Sequence, residues 1–267
     1  MTERYRLDAA LAMRALARSR SHAAKLIAAG LVTVNGQPVV KPSAGVDETD
    51  DIQVAGADHY VSRAAHKLIA ALDEWPVAVR SRLALDAGAS TGGFTQVLLE
   101  RGARTVLALD VGHGQLAQPV ASDPRVISIE GVNVRYLTGD ELAEVSGTAQ
   151  KPQLVTADLS FISLRTVLPA LVSVADPAAD FVLLIKPQFE VGRTGVREGI
   201  VHDAGLREDA VTGVLWTAWD LGIGTAGVSA SPIAGTHGNR EYLAWLNVTA
   251  GGHPTEWLQR VRAMVGA

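Results

Sequence analysis

The run Asp86-Ala-Gly-Ala-Ser-Thr-Gly-Gly-Phe94 constrains this chain more than any other stretch. It follows the short apolar run Leu83-Ala-Leu85. It precedes Thr95-Gln-Val-Leu-Leu-Glu-Arg101, whose Val97, Leu98 and Leu99 suit a helix. Strand, glycine-rich turn and helix make the opening unit of a βαβ fold. Gly88, Gly92 and Gly93 allow a sharp turn and a close approach to a ligand, and the helix start behind them offers unpaired N–H groups.

Two kinds of glycine loop compete for this pattern. A dinucleotide fingerprint needs G-x-G-x-x-G with a pyrophosphate over the helix. Here Gly88 is followed by Ser90 and then Gly92, which breaks it. Asp86 at the loop's start would repel a pyrophosphate but could hold a cationic ligand. S-adenosylmethionine carries an ammonium, a sulfonium and no phosphate. Asp110 closes the next apolar run, Thr105-Val-Leu-Ala-Leu-Asp110. It stands roughly 20 residues past the loop, where an acid takes ribose hydroxyls. The bland alternative is a tight turn with a helix-capping aspartate.

From Arg82 on, apolar runs and helical patterns alternate. Strands are expected at 83–87, 105–110, 126–130, 153–158, 181–186, 225–230 and 242–248, and helices at 93–101, 115–121, 139–145, 163–173 and 206–221. This predicts an α/β fold: a Rossmann-like, mostly parallel seven-stranded sheet between helices, with the last two strands as an antiparallel edge. Several polar residues fall at strand ends. Asn133 follows the third strand and could meet an adenine edge or simply serve a turn. Asp158 ends the fourth, facing the crevice of an open sheet, unless it caps the next helix, a job Ser160 or Ser163 could also do. Lys186 ends the fifth, where snorkelling to solvent is a lysine's usual fate. Glu241 starts the last. Lys67 lies in the first turn of a helix expected to start at a Ser62 cap and run to Leu72, an electrostatically poor place for a cation.

The first part of the chain reads differently. Net charge is −4, yet residues 1–41 hold seven Lys/Arg against two Asp/Glu, while the remainder holds 17 against 26. A basic segment on an acidic chain suggests a polyanion-binding module. A helix is expected from about Arg6 to Leu16 and a second from His22 to Ala29, capped by Ser19 or Ser21. Asn35-Gly36 between two valine-rich runs is a strong hairpin signal, and a further strand fits between Val46 and Val54. We expect a small RNA-binding domain at 1–55, a linker at 56–61 and a large domain at 62–267.

With 48% hydrophobic and 19% charged residues, a packed core is available, and the absence of cysteine excludes disulfides and thiolate chemistry. No apolar run approaches the ~20 residues needed to span a bilayer, and the start of the chain has no signal-type core, so a soluble, cytoplasmic protein is expected. No His/Asp/Glu cluster has ligand spacing, so no metal is expected.

The words Leu7-Asp8, Ala17-Arg-Ser-Arg-Ser21, Leu26-Ile27, Val34-Asn-Gly36 and Lys41-Pro-Ser43 resemble the alpha-L RNA-binding domain, found in a small-subunit ribosomal protein and in tyrosyl-tRNA synthetases. The resemblance implies that Arg6, Arg14, Arg18, Arg20, Lys25 and Lys41 contact RNA phosphates. Lys67, Asp158, Lys186 and Glu241 have the order of the K-D-K-E tetrad of FtsJ-like ribose methyltransferases. Together with Ser62-Arg63, His66-Lys-Leu68, the glycine loop, Ala157-Asp-Leu-Ser-Phe-Ile-Ser-Leu164, Lys186-Pro-Gln-Phe-Glu190 and Gly238-Asn239, they look like the TlyA family, which joins the two domains and is also labelled haemolysin. The resemblance implies 2′-O-methylation of ribosomal RNA, by its pattern at cytidines of one or both subunits. The methyl would come from S-adenosylmethionine held by Asp86, Gly88, Ser90, Thr91, Gly92, Phe94, Asp110, Asn133 and Asp158. Lys186 would be the general base, Lys67 and Asp158 would orient the hydroxyl and the base, and Glu241 would hold Lys67 or the ribose. A non-catalytic ribosome-assembly factor and a membrane-active haemolysin are the competing functions.

Overall fold

The structure is a computed structural model that describes residues 4–14, 16–17, 19–54, 59–192, 195–235 and 237–266. It divides into two compact units, Met1–His59 and Tyr60–Ala267.

In the first unit, β1 (Tyr5–Arg6) leads to α1 (Leu7–Met13), α2 (Arg20–Ala28), β2 (Val32–Val34), β3 (Gln37–Pro38), β4 (Gly45–Val46) and β5 (Ile52–Val54). The Ser19 hydroxyl caps α2 by accepting from the His22 N–H at 3.2 Å. Asn35 and Gly36, at φ 51° and 77°, turn β2 back into β3, as a two-residue hairpin with both central residues left-handed requires. The one strand expected between Val46 and Val54 is two. β4 pairs with β1, β5 pairs with β2, and a turn lies between them in which Asp50 Oδ2 accepts from the Asp47 N–H at 2.8 Å. Leu7, Leu11, Ala23, Ile27, Val32 and Val46 form its buried core.

The second unit runs α3 (Ala65–Glu74), β6 (Leu83–Ala87), α4 (Gly93–Glu100), β7 (Thr105–Asp110), α5 (Gln118–Ala121), β8 (Val126–Glu130), α6 (Gly139–Ser146), β9 (Leu154–Ala157), α7 (Leu164–Val174), β10 (Asp180–Ile185), α8 (Pro187–Glu190), α9 (Ala204–Asp220), β11 (Gly224–Ala230), β12 (Tyr242–Asn247) and α10 (Leu258–Gly266). Its seven-stranded sheet has the order β11-β12-β10-β9-β6-β7-β8. β8, β7, β6, β9 and β10 are parallel, and β12 and β11 are antiparallel. This is the expected three-layer Rossmann-like sandwich. Successive strand residues face opposite sides. In β10, Phe181, Leu183 and Ile185 pack into the core with α7, α9 and α10, while Val182 and Leu184 pack with α3 and α4.

Four local expectations change. α3 starts at Ala65 because Ser62 bonds too early, its hydroxyl accepting from the Ala64 N–H at 3.2 Å. The helix expected at 115–121 is only the turn Gln118–Ala121, with a proline near its start. Tyr60 and Val61 dock on α4 rather than linking: the Tyr60 hydroxyl donates to Glu100 and the Val61 N–H to Gln96, both at 2.9 Å. Residues 56–58 of the expected linker, and residue 55 before it, lie outside the described residues. Finally, α10 was not expected, although Val261 and Val265 face inward at helical spacing.

Candidate active site

β6 has β7 on one side and β9 on the other, so chain order reverses at β6. That switch point opens a crevice at the carboxyl ends of the parallel strands. Loops after β6, β7, β8, β9 and β10 bring Gly88 to Thr91, Asp110, Asn133, Asp158 and Lys186 to this edge. Glu241 joins them because β12 is antiparallel. Ile185 pairs with Tyr242, which puts Glu241, the residue before β12, beside Lys186, the residue after β10.

A polar cavity of about 190 Å³ is lined by Lys67, Asp158, Lys186 and Glu241, together with Ser62, Arg63, Ser160, Gly88, Ser90, Thr91 and Phe94. The four charged residues form two pairs. Lys67 Nζ donates to Glu241 Oε2 at 2.5 Å, with both side chains at 7% exposure or less. Lys186 Nζ stands 2.6 Å from Asp158 Oδ1 and donates to the Ser160 hydroxyl at 2.9 Å. Buried charges need partners of this kind. The arrangement can hold a polar group between the Lys67 and Lys186 side chains.

A second cavity of about 500 Å³ adjoins the first and shares Gly88, Ser90 and Ser160 with it. Leu109, Val111, Val132, Val134, Leu159 and Ile162 make it apolar, and Asp110 and Asn133 add polar groups. Asp110 accepts from the Ser90 N–H and the Gly112 N–H, each at 2.8 Å, which ties the glycine loop to the end of β7. Asn133 Oδ1 accepts from the Arg135 N–H at 3.0 Å. Gly88 has φ 83°, and a Cβ there would lie 2.9 Å from the Asp158 carbonyl oxygen, so only glycine lets β6 and β9 end this close.

Two expected ligand residues stand elsewhere. Asp86 is fully buried and lines neither cavity. Its oxygens accept from Thr95 at 2.7 Å and Thr156 at 3.0 Å, so it pins β6 to α4 and β9 from below. Burial pushes its carboxyl up to about 6, against the pull of those two hydroxyls and with a further push from the Asp158 charge. Gly92 lines neither cavity either: a Cβ there would meet Leu116 at 2.9 Å, so its role is to let the α5 segment pack close.

In the first unit the basic residues sort by partner. Arg6 donates to Asp8 through both Nε and Nη2, at 3.1 and 2.9 Å, and Arg20 stands 3.5 Å from the same carboxylate. Lys25 and Lys41 are exposed. Arg14 donates to the carbonyls of Asp47 and Asp50 at 2.5 and 2.7 Å, which makes it a pin for that turn. Arg18 lies outside the described residues.

Residues 60–248 match the FtsJ-like methyltransferase model and residues 6–52 the S4 domain. A Mycobacterium tuberculosis protein named 16S/23S rRNA (cytidine-2'-O)-methyltransferase TlyA is 51% identical over 92% of this chain and 91% of its own. The chain belongs to the TlyA family of FtsJ-like methyltransferases. Another relative, from Brachyspira hyodysenteriae, is named Hemolysin A; it is 39% identical over 90% of this chain and 98% of its own. A solved structure from Streptococcus thermophilus, described as a "putative hemolysin", superposes with a TM-score of 0.76 at 36% identity, covering 100% of this chain and 97% of that one. Among the described residues no helix is long and apolar enough to cross a membrane, and no three His, Cys, Asp or Glu side chains stand as a metal-holding group.

Reading the TlyA-family motifs as separate words missed how two of them lock together. Phe189 lies 5.4 Å from Phe161 between ring centroids, and Glu190 accepts from the Ser163 hydroxyl at 2.5 Å and the Leu164 N–H at 2.7 Å. Burial raises the Glu190 carboxyl above its ordinary value, opposed by those two donors. The Lys186–Glu190 word therefore clamps the Asp158–Leu164 word at both ends. Spacing in the chain carries no signal of that contact.

Proposed function

We propose that this protein methylates ribose 2′-hydroxyls of ribosomal RNA, at cytidines, with S-adenosylmethionine as donor. The observation that carries the reading is the pair of adjoining cavities. The polar one gathers Lys67, Asp158, Lys186 and Glu241, and the apolar one ends in a carboxylate beside a glycine loop. The relatives' printed names supply the substrate class. The S4-type unit, with Arg6, Arg20, Lys25 and Lys41 outward, suits a phosphate backbone.

The residues fit the cofactor. The larger cavity falls within the ~300–1,000 Å³ usual for small-molecule sites. Its aliphatic walls suit a flat base, Asp110 has lone pairs left for ribose hydroxyls, and the Asn133 amide suits an adenine edge. Gly88, Ser90 and Thr91 bring backbone close to whatever joins the two cavities. When bound, S-adenosylmethionine supplies a methyl group on a positively charged sulfur.

A ribose hydroxyl is a poor nucleophile until its proton is drawn away. Lys186 Nζ takes that proton. Asp158 Oδ1 lies 2.6 Å from that nitrogen and keeps it at the cavity wall. Lys67, held by Glu241, donates to the hydroxyl oxygen and orients it. Positioning the hydroxyl against the methyl donor supplies most of the acceleration. The test is to map 2′-O-methyl sites in ribosomal RNA from cells with and without the protein, and to measure single turnovers with purified subunits. Site loss on deletion is expected, with a fall of about 10²–10⁴ in rate for Lys186→Ala at near-normal cofactor and RNA affinity. Unchanged methylation on deletion would end the reading, and a normal rate in the variant would move the base to Lys67.

A further inference from the structure

We infer that Ser160 is a positioning residue for methyl transfer: its hydroxyl, together with Asp158, aims the Lys186 amine at the acceptor hydroxyl. This rests on the reading above. Lys186 Nζ has two fixed neighbours, Asp158 Oδ1 at 2.6 Å and Ser160 Oγ at 2.9 Å. Only the Ser160 contact has hydrogen-bond geometry: Asp158 Oδ1 accepts no hydrogen bond and holds the nitrogen by charge alone. An amine nitrogen is tetrahedral, with one direction spent on its own side chain. An N–H held by Ser160 fixes rotation about the Cε–Nζ bond and leaves the lone pair of a neutral amine one of the two remaining directions, and the nitrogen lines the polar cavity. Without Ser160 that rotation is released and the base is misdirected.

The obvious structural job for Ser160 is filled by another residue. A serine just before a helix commonly caps it, but α7 is capped by Ser163, whose hydroxyl accepts from the Arg165 N–H at 3.1 Å. The backbone also turns sharply here. Phe161 has φ 65°, a left-handed conformation that is uncommon and strained for an aromatic residue, and the residue is 92% exposed. The clamp from Phe189 and Glu190 holds that turn. The result is that Ser160, though exposed, stands where the two cavities meet and lines both. Strain at this point is consistent with a side chain held for chemistry and not for packing.

The test uses the full-length protein, ribosomal subunits and S-adenosylmethionine. Ser160→Ala should slow single-turnover methyl transfer about 10- to 100-fold, the range for losing one hydrogen bond to a charged or basic nitrogen. The KM for RNA and the cofactor affinity by calorimetry should stay within about two-fold. Ser160→Thr keeps the hydroxyl and should recover most of the rate. A Ser160→Ala rate equal to wild type overturns the inference. So does an equal loss in the Ala and Thr variants accompanied by weakened cofactor binding, because that pattern marks loop packing. If the wild-type protein itself transfers no methyl to ribosomal RNA, the functional reading falls and takes this inference with it. An active wild type with an indifferent Ser160 removes this inference alone.

Discussion

Two carboxylates in this chain hold cations under opposite conditions. Asp8 gathers Arg6 and Arg20, whose side chains are 53% and 61% exposed. Glu241 holds Lys67 with both partners nearly dry. In the first case the carboxylate is buried but the two arginines are in water, which screens the attraction and leaves their outer faces open to a phosphate. In the second the pair is a fixture: breaking it leaves a bare charge in a low-dielectric site. The N-terminal unit keeps its charges exchangeable, which suits recognition of a polyanion. The larger unit keeps them locked, which suits a site that must be in place before substrate arrives.

The contrast is most exposed to Glu241→Ala. Removing the partner of buried Lys67 should destabilise the second unit by about 3–5 kcal/mol, while Glu241→Gln, which keeps an acceptor, should cost much less. Denaturant melts would read this, and equal small losses in both variants would mean that the pair is not locked.

Asp86 tests the buried side through pH. Its folded value of about 6 lies above the ordinary 3.8, so the folded protein binds that proton more tightly than the unfolded chain. Its contribution is therefore most favourable below about pH 4 and declines as pH rises to about 6, leaving a penalty of about 3 kcal/mol above that window. Asp86→Asn should flatten this part of the stability–pH curve. An unchanged slope across pH 4–6 would assign the burial cost to another group.

Asp110→Ala should weaken S-adenosylmethionine binding about 10- to 100-fold, since two loop N–H groups lose their acceptor along with any ribose contact. Calorimetry showing equal affinity would refute its assignment. The smallest effect belongs to the exposed side. Arg20→Ala should leave stability unchanged and lower the salt slope of RNA binding by about one unit. A fall in melting temperature there would make the Asp8 cluster structural and erase the contrast.

Local sequence determined much of this protein. The alternation of apolar runs and helical patterns dictated the layers, Asn35-Gly36 dictated the hairpin, and the glycine loop after an apolar run marked the crevice, because each of these signals acts within a few residues. α10 was legible too, in the spacing of Val261 and Val265, but was not read. Tertiary structure decided the rest. Asp86 and Asp110 look alike in sequence, as acids at strand ends, yet one is sealed beneath the loop by Thr95 and Thr156 and the other lines a cavity. Arg14 and Arg20 look alike as helix-flanking cations, yet one is spent on the carbonyls of residues 47 and 50, more than 30 residues away. Glu241 meets Lys67 across 174 positions, and only the antiparallel insertion of β12 beside β10 puts it on that edge. Which acid is dry, which cation is paired and which serine aims a lysine depend on contacts between distant segments, and no periodicity in a single strand or helix encodes them.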